Sequence, residues 1–194
     1  MILSTHEGSI EYELRRPEVS KGLALLLHPH PLYEGTMYNK VITTALQTCV
    51  KNDLSALRFN YPGVGNSSGS FGYGYYESQQ ARVLLEKLGH QNIDWVIGFS
   101  FGCWVTYQLL SYLSPSKGII WIAPSIHEGV MQSINWPSKR YIIQGTDDQL
   151  CPFSQNRLFS QKNNFEFLSI DQAGHFFHGK QIELKHAIQR CLND

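Results

Sequence analysis

Asp94–Leu113, DWVIGFSFGCWVTYQLLSYL, divides at a serine. Before Ser100 stands a short apolar run, Trp95–Phe99, of strand length and rich in aromatic and β-branched residues; after it comes an apolar stretch, Phe101–Leu113, long enough for a helix. No loop residues separate the two. A strand that turns directly into a helix forces the residue at the turn into a strained backbone conformation, and its neighbours must be small. Gly98 and Gly102 remove the side chains that would collide there. The turn also sets Ser100 at the helix N-terminus, where the Phe101 amide and the helix dipole can stabilise a developing negative charge. Ser100 is the candidate nucleophile of this G-x-S-x-G stretch; its plainer reading is a serine that N-caps a helix.

The same spacing occurs once more upstream, in Gly65–Gly69, GNSSG. Ser67 lies within NYPGVGNSSGSFGYG, with no strand directly before it and no helix directly after, so its glycines read as turn formers that permit positive φ. Ser67 is the decoy of the pair.

Outward from Ser100, strand and helix signals alternate along the chain. Ile10–Leu14 alternates apolar and polar residues as an edge strand would. Gly22–His28 is a nearly continuous apolar run, as expected of a strand buried on both faces of a parallel sheet. Met37–Lys51 carries apolar residues at helical spacing. Further strands are expected over Leu54–Asn60, Gly118–Ala123, Lys139–Gln144 and Phe165–Ile170, and further helices over Tyr76–Leu88, Phe153–Gln161 and Lys180–Leu192. This order implies right-handed crossovers and a mostly parallel sheet of about six to seven strands with helices on both faces. Chemistry is then sought in the loops after strands, at their carboxyl ends.

Composition narrows the field. A chain of 194 residues, 42% of them apolar, fits one domain over 1–194 with a sizeable core and little room for a second. Sixteen basic residues balance sixteen acidic ones without a basic stripe, which argues against nucleic acid. The longest apolar run, Leu23–Leu27, is far short of the roughly 20 residues a membrane helix needs, so no membrane partner is expected. The start, MILSTHEGSIEYELRR, lacks the basic-then-apolar pattern of a signal peptide, and the chain reads as cytoplasmic. Cys49, Cys103, Cys151 and Cys191 lie far apart with no C-x-x-C pair; packing in the reduced state is expected of them, not zinc binding.

A serine hydroxyl needs a base, and the base needs an acceptor to hold it. Both come from loops after later strands. DQAGHFFHG, after Phe165–Ile170, offers His175, with His178 as the alternate. His127 follows its strand too early in the chain order. GTDDQLCP, after Lys139–Gln144, offers Asp147 or Asp148; the form G-x-x-D-x-x-x-P, matched by Gly145, Asp148 and Pro152, favours Asp148. The first strand loop, HPHPLYEGTMYN, would supply the second oxyanion donor from its backbone. Pro29 and Pro31 have no N–H, so His30 and Leu32 are the candidate amides beside Phe101. His28 and His30, at i and i+2, raise a metal site, but no third ligand stands near them and none is expected.

Together HPHPLYEGTMYNKV, LRFNYPGVGNSSGSF, VIGFSFG, GTDDQLCP and AGHFFHG resemble the small, cap-less serine hydrolases of the α/β-hydrolase fold, near the dienelactone-hydrolase-like group and the uncharacterised bacterial alpha/beta superfamily hydrolases. The resemblance spans about residues 22 to 180. It implies a three-layer α/β-hydrolase fold without a cap domain, a Ser100–His175–Asp148 triad, a structural role for GNSSG and no cofactor. An esterase-like hydrolase acting on a small-molecule acyl ester or thioester is the expected function. The rivals are a non-catalytic binding protein of the same fold and an acyltransferase or peptidase using the same triad. Two departures stand out: Glu34–Gly35 replaces a pair of glycines common in relatives, and no cap insertion separates the strands GIIWIA and RYIIQ. An open cleft is expected, with Tyr33, Tyr38, Phe71, Tyr73, Phe99, Ile126 and Trp136 as its aromatic and apolar wall.

Overall fold

The structure, a computed structural model, describes residues 1–6, 8–126, 130–131 and 134–194. Its strands are β1 (Ile2–Thr5), β2 (Gly8–Arg15), β3 (Leu23–Leu27), β4 (Ser55–Phe59), β5 (Trp95–Phe99), β6 (Gly118–Ile122), β7 (Lys139–Gly145) and β8 (Glu166–Ile170). The helices are α1 (Lys40–Lys51), α2 (Tyr75–Lys87), α3 (Phe101–Leu109), α4 (Phe153–Lys162) and α5 (Gln181–Asn193). They build one sheet in the order β1-β2-β4-β3-β5-β6-β7-β8. β1 and β2 pair antiparallel, β2 joins β4 antiparallel, and every later pairing is parallel.

Eight strands correct the expected six to seven. The extra one, β1, is only four residues long and half exposed, so its sequence carries no core signal. Its hairpin with β2 also lacks the Asn-Gly or Asp-Gly turn that would announce it. The alternating segment Ile10–Leu14 thus belongs to an inner strand, covered on one side by β1 and paired on the other with β4.

Every residue of β3, β4, β5 and β6 is buried, because helices cover both faces of the sheet. Side chains alternate between the two faces. Trp95, Ile97 and Phe99 of β5 join α1 and α5 in one core layer, while Val96 joins α2, α3 and α4 in the other. Chain direction reverses its spread at β3: the next strand, β4, lies on one side of it and β5 on the other. Such a switch point opens a crevice at the carboxyl ends of the two strands. The loop after β3 and the turn after β5 therefore meet in space.

Two helices are shorter than their apolar periodicity suggests. α1 starts at Lys40, not Met37, because the Asn39 side chain accepts the Val41 N–H (2.9 Å) while the Met37 N–H is held by Asn60 Oδ1 (2.9 Å). α3 ends at Leu109 and continues as turns that return the Tyr112 and Leu113 amides to the Leu109 carbonyl. No described helix is long and apolar enough to cross a membrane. His127, set aside above on chain order, lies outside the described residues.

Candidate active site

Ser100 sits at the end of β5 with φ 55° and ψ −115°, a backbone conformation that a side-chain-bearing residue adopts only under constraint. The constraint is packing of backbone on backbone. A Cβ on Gly98 would lie 2.6 Å from the Gly102 carbonyl oxygen, and one on Gly102 would run into the Leu27 carbonyl of β3. The Ser100 N–H donates to Ile122 O (2.9 Å) and its carbonyl accepts from Cys103 N–H (3.0 Å), so the turn is fixed on both sides. Its hydroxyl is left to point away from the sheet.

That hydroxyl meets His175. Ser100 Oγ and His175 Nε2 are 3.1 Å apart, and His175 Nδ1 lies 2.8 Å from Asp148 Oδ2. A carboxylate can only accept, so Nδ1 carries the proton and Nε2 is left as the acceptor for the serine O–H. Phe99 packs beneath the imidazole, ring centres 5.1 Å apart, and fixes its plane from the core side. Asp148 is buried, which on its own would raise its pKa. The hydrogen bond from His175, with the amides of Cys151 and Leu150 (2.9 Å each, to Oδ1), overcomes burial and holds the carboxyl below its ordinary range.

A second layer went unread in the sequence. Gln144 Nε2 donates to Asp148 Oδ2 (2.8 Å) and to Cys151 O (3.0 Å), while Gln144 Oε1 accepts from Asn156 Nδ2 (2.7 Å). Asn156 in turn reaches Pro124 O (3.0 Å) after β6. Both amides are buried, and they tie the loop of Asp148 to β7, α4 and the end of β6. The signal was present: Gln144 is a polar residue at the carboxyl end of the apolar strand RYIIQ.

The alternates fall outside this chain. Asp147 is exposed, its carboxylate accepting from the neighbouring Thr146 hydroxyl (3.0 Å). His178 is exposed and stacks on Phe176.

On the other side of Ser100 lies the loop after β3. His28 is fully buried and uses both ring nitrogens: Nδ1–H donates to Pro29 O (2.7 Å) and Nε2 accepts from Tyr61 N–H (3.1 Å). Burial pushes its pKa down to about 3, only partly offset by the Pro29 bond. The ring stacks on Tyr61, centres 3.6 Å apart, and Tyr61 O–H donates to His28 O (3.0 Å). At the loop's far end, Asn60 takes the Met37 N–H and Arg58 donates to the Met37 carbonyl (2.7 Å). The segment NYPG after β4 thus clamps both ends of the loop after β3. With both His28 nitrogens engaged, the His28/His30 pair has no metal-ligating pair of lone pairs to offer. Among the described residues, no three His, Cys, Asp or Glu side chains cluster as metal ligands.

The candidate oxyanion amides separate. Among the described residues, the backbone N–H groups of Phe101 and His30 have no protein acceptor. Leu32 does not keep its place beside them: its N–H donates to His30 Nδ1 (3.2 Å), where the imidazole caps the short 3₁₀ turn Pro31–Tyr33. The Tyr33 and Gly35 amides both donate to His30 O (3.1 Å each). His30 itself is braced by Tyr33, Phe71 and Phe101, ring centres 4.8–4.9 Å away.

A cleft of about 510 Å³ opens over Ser100 and His175, walled by His30, Tyr33, Phe101, Leu150 and Phe176. Only Tyr33 of the expected wall lines it. Phe99 is buried beneath His175, Trp136 packs on Trp121 in the core, Phe71 and Tyr73 stand behind His30, and Tyr38 borders an adjoining depression. Strand alternation sends the first of these inward, a placement that spacing alone did not reveal. Cys151 also faces the cleft, and its thiol is pushed up to about 12, first by burial and then by the Asp148 charge. It is a packing thiol beside Ser100. All four cysteines are free and buried.

Ser67 has another environment. It is buried, donates its hydroxyl to Asn60 O (2.6 Å) and accepts the Glu11 N–H (2.9 Å), strapping the loop after β4 to β2.

No family model matches the chain. It is 34% identical, over an alignment of 185 positions, to an uncharacterized protein of Rickettsia prowazekii (strain Madrid E); the match covers 88% of this chain and 78% of that protein. Among solved structures it is similar to an alpha-beta serine hydrolase homologue from Coxiella burnetii, at 31% identity and TM-score 0.89, with 99% of this chain and 96% of that one covered. It is also similar to an α/β serine hydrolase without lid from Xanthomonas campestris, at 27% identity and TM-score 0.91, covering all of this chain and 92% of that one. A putative alpha/beta hydrolase from Agrobacterium tumefaciens is 28% identical with TM-score 0.89, over the whole of this chain and 94% of the other.

Proposed function

From the chain's membership of the α/β serine hydrolases without a lid, we propose that it cleaves a small acyl ester or thioester through an acyl-enzyme on Ser100. The observation that carries this reading is the unbroken hydrogen-bond chain from Ser100 Oγ through His175 to Asp148, at 3.1 and 2.8 Å. In the first step His175 Nε2 takes the hydroxyl proton as Oγ attacks the acyl carbon, and the carbonyl electrons move onto oxygen. The Phe101 and His30 amides are the donors for that oxyanion, both attached to backbone held rigid by packing. The imidazolium then protonates the leaving alcohol or thiol as the C–O or C–S bond breaks. Water, deprotonated by the same nitrogen, attacks the acyl carbon; the bond to Ser100 Oγ breaks, the imidazolium returns the proton to Oγ, and the acid leaves. Asp148 stays ionised throughout and holds the Nδ1 proton, so that Nε2 is always the nitrogen presented to Ser100.

Incubation with a fluorophosphonate probe, read by intact mass and peptide mapping, tests the reading. One adduct on Ser100 is expected, absent from Ser100→Ala, together with turnover of a chromogenic short-chain ester that the same substitution abolishes. An unlabelled native protein, or ester turnover that survives in Ser100→Ala, would overturn it.

A further inference from the structure

The wall of the cleft carries charge of one sign. Apart from the Ser100–His175–Asp148 chain, its one carboxylate among the described residues is Glu34, and no described lysine or arginine lines it. Glu34 closes the 3₁₀ turn with φ 59°, and the next residue must be glycine because a Cβ there would strike the Pro29 carbonyl oxygen. The backbone that presents Glu34 is therefore fixed at the mouth. Among the described residues its carboxylate has no hydrogen bond or ion pair. Around it the wall is apolar and wet: Tyr33 is 82% exposed, Leu150 67% and Phe176 40%, surface that a bound apolar group would remove from water. Lys40 lines an adjoining depression that shares only Asn39 and Phe176 with the cleft.

Resting on the acyl-hydrolase reading, we propose that this site selects uncharged esters with an apolar or aromatic acyl group and rejects carboxylate-bearing acyl groups of the same length, with Glu34 as the specificity-determining residue. An acyl chain ending in a carboxylate would give up hydration on entry, find no lysine or arginine among the described residues of the wall to replace it, and face Glu34. Repulsion between two charges at a solvent-exposed mouth is modest, about a few-fold, and approaches roughly tenfold when combined with the lost hydration. It must also weaken with salt.

The matched pair p-nitrophenyl valerate and mono-p-nitrophenyl glutarate, alike in acyl chain length but differing in the terminal charge, tests this. At low salt kcat/KM is expected to favour the valerate by about tenfold, a ratio that falls to about threefold or less in Glu34→Gln and narrows in high salt. The same ratio is read as Kd for the two uncleaved esters in Ser100→Ala by calorimetry. Absence of turnover in the native enzyme would therefore overturn the hydrolase reading, while the Kd ratio still decides selection. Equal constants for the two esters would overturn the proposal, as would a ratio unmoved by Glu34→Gln. A loss confined to the glutarate in Lys40→Gln would overturn it too, by making the adjoining depression an anion subsite.

Discussion

Ser100 and Ser67 occupy the middle of the same five-residue spacing, one at the strained end of a central strand and the other buried in the loop after β4. Their glycines do different work. Gly98 and Gly102 are needed because backbone from β3 and α3 leaves no space for a Cβ, whereas Gly65 and Gly69 have φ of 56° and 98° and serve chain reversal. Their hydroxyls differ as well. The Ser67 hydroxyl has both its proton and a lone pair committed to main chain, to Asn60 O and from Glu11 N, so no base has access to it. The Ser100 hydroxyl faces the imidazole of His175, whose Nε2 lies 3.1 Å away and can take its proton. What suits Ser100, and not Ser67, to the nucleophilic role proposed for it is the strand and helix on either side, which set it at the crevice between β3 and β5.

The contrast is broken most sharply at Asp148. In Asp148→Asn the side-chain oxygen can keep the Leu150 and Cys151 amides, but the new NH₂ then faces His175 Nδ1 and cannot accept its proton. The ring is driven to the tautomer with hydrogen on Nε2, facing Ser100. A fall in kcat of about 10³- to 10⁴-fold is expected, with thermal stability lowered far less, by analogy of role with other triads. Activity within tenfold of native would deny Asp148 the orienting role. Stability is the next test. Gly102→Ala forces a methyl against the Leu27 carbonyl, which belongs to a central strand and cannot yield, so a loss of about 3 kcal/mol in urea unfolding is expected. A neutral substitution there would mean that the turn is less confined than its geometry indicates.

A smaller effect reports on the latch that holds the loop after β3 beside Ser100. The folded-state pKa of His28 is pushed down to about 3 from 6.5, so below pH 6.5 the unfolded chain binds the proton that the folded one refuses. Its stabilisation is complete above pH 6.5 and is lost progressively as pH falls toward 3, about 2 kcal/mol of it by pH 5. His30 and His90, whose pKa values are also lowered by burial, add in the same direction. Asp148, held below the ordinary carboxylate range, loses its contribution only at more acid pH. Chemical denaturation between pH 7 and pH 5 should show the decline, and His28→Gln, though less stable, should show a shallower one. Parallel slopes in the two proteins would remove His28 as the cause.

The parts of this fold that were readable in the sequence are those where one side of the chain faces no water. β3 through β7 appear as apolar runs because helices bury both sheet faces, β8 at the edge keeps only Leu168 and Ile170 buried, and Ser100, Asp148 and His175 follow β5, β7 and β8. β1 left no trace because four half-exposed residues need no particular side chains. Leu32 was misjudged because proline content excludes donors but does not say where a remaining N–H points; the His30 ring claimed that one. Gln144 and Asn156 were missed for a related reason. The polar Gln144 that ends RYIIQ is visible locally, but its partner Asn156 lies 12 residues on, and no local pattern records that pairing. The cleft wall was legible least, since Tyr33 and Phe99 look alike as residues, yet one stands exposed on the 3₁₀ turn after β3 and the other faces the core from the end of β5.

The smallest expected effect bears on the decoy. Ser67→Ala leaves the Glu11 N–H and the Asn60 carbonyl without their partner in a part-buried setting, which costs about 1–2 kcal/mol. The loss falls where β2 meets the loop after β4, and that loop carries Asn60 and Tyr61, the clamps on the loop after β3. A lower melting temperature is therefore expected together with fluorophosphonate labelling of Ser100 at close to the native rate, because the other clamp contacts of Arg58 and His28 remain. If labelling instead fell by more than about tenfold in protein that is still folded, the strap and the nucleophile would be coupled, and the separation of the two serines into a structural and a chemical one would not hold.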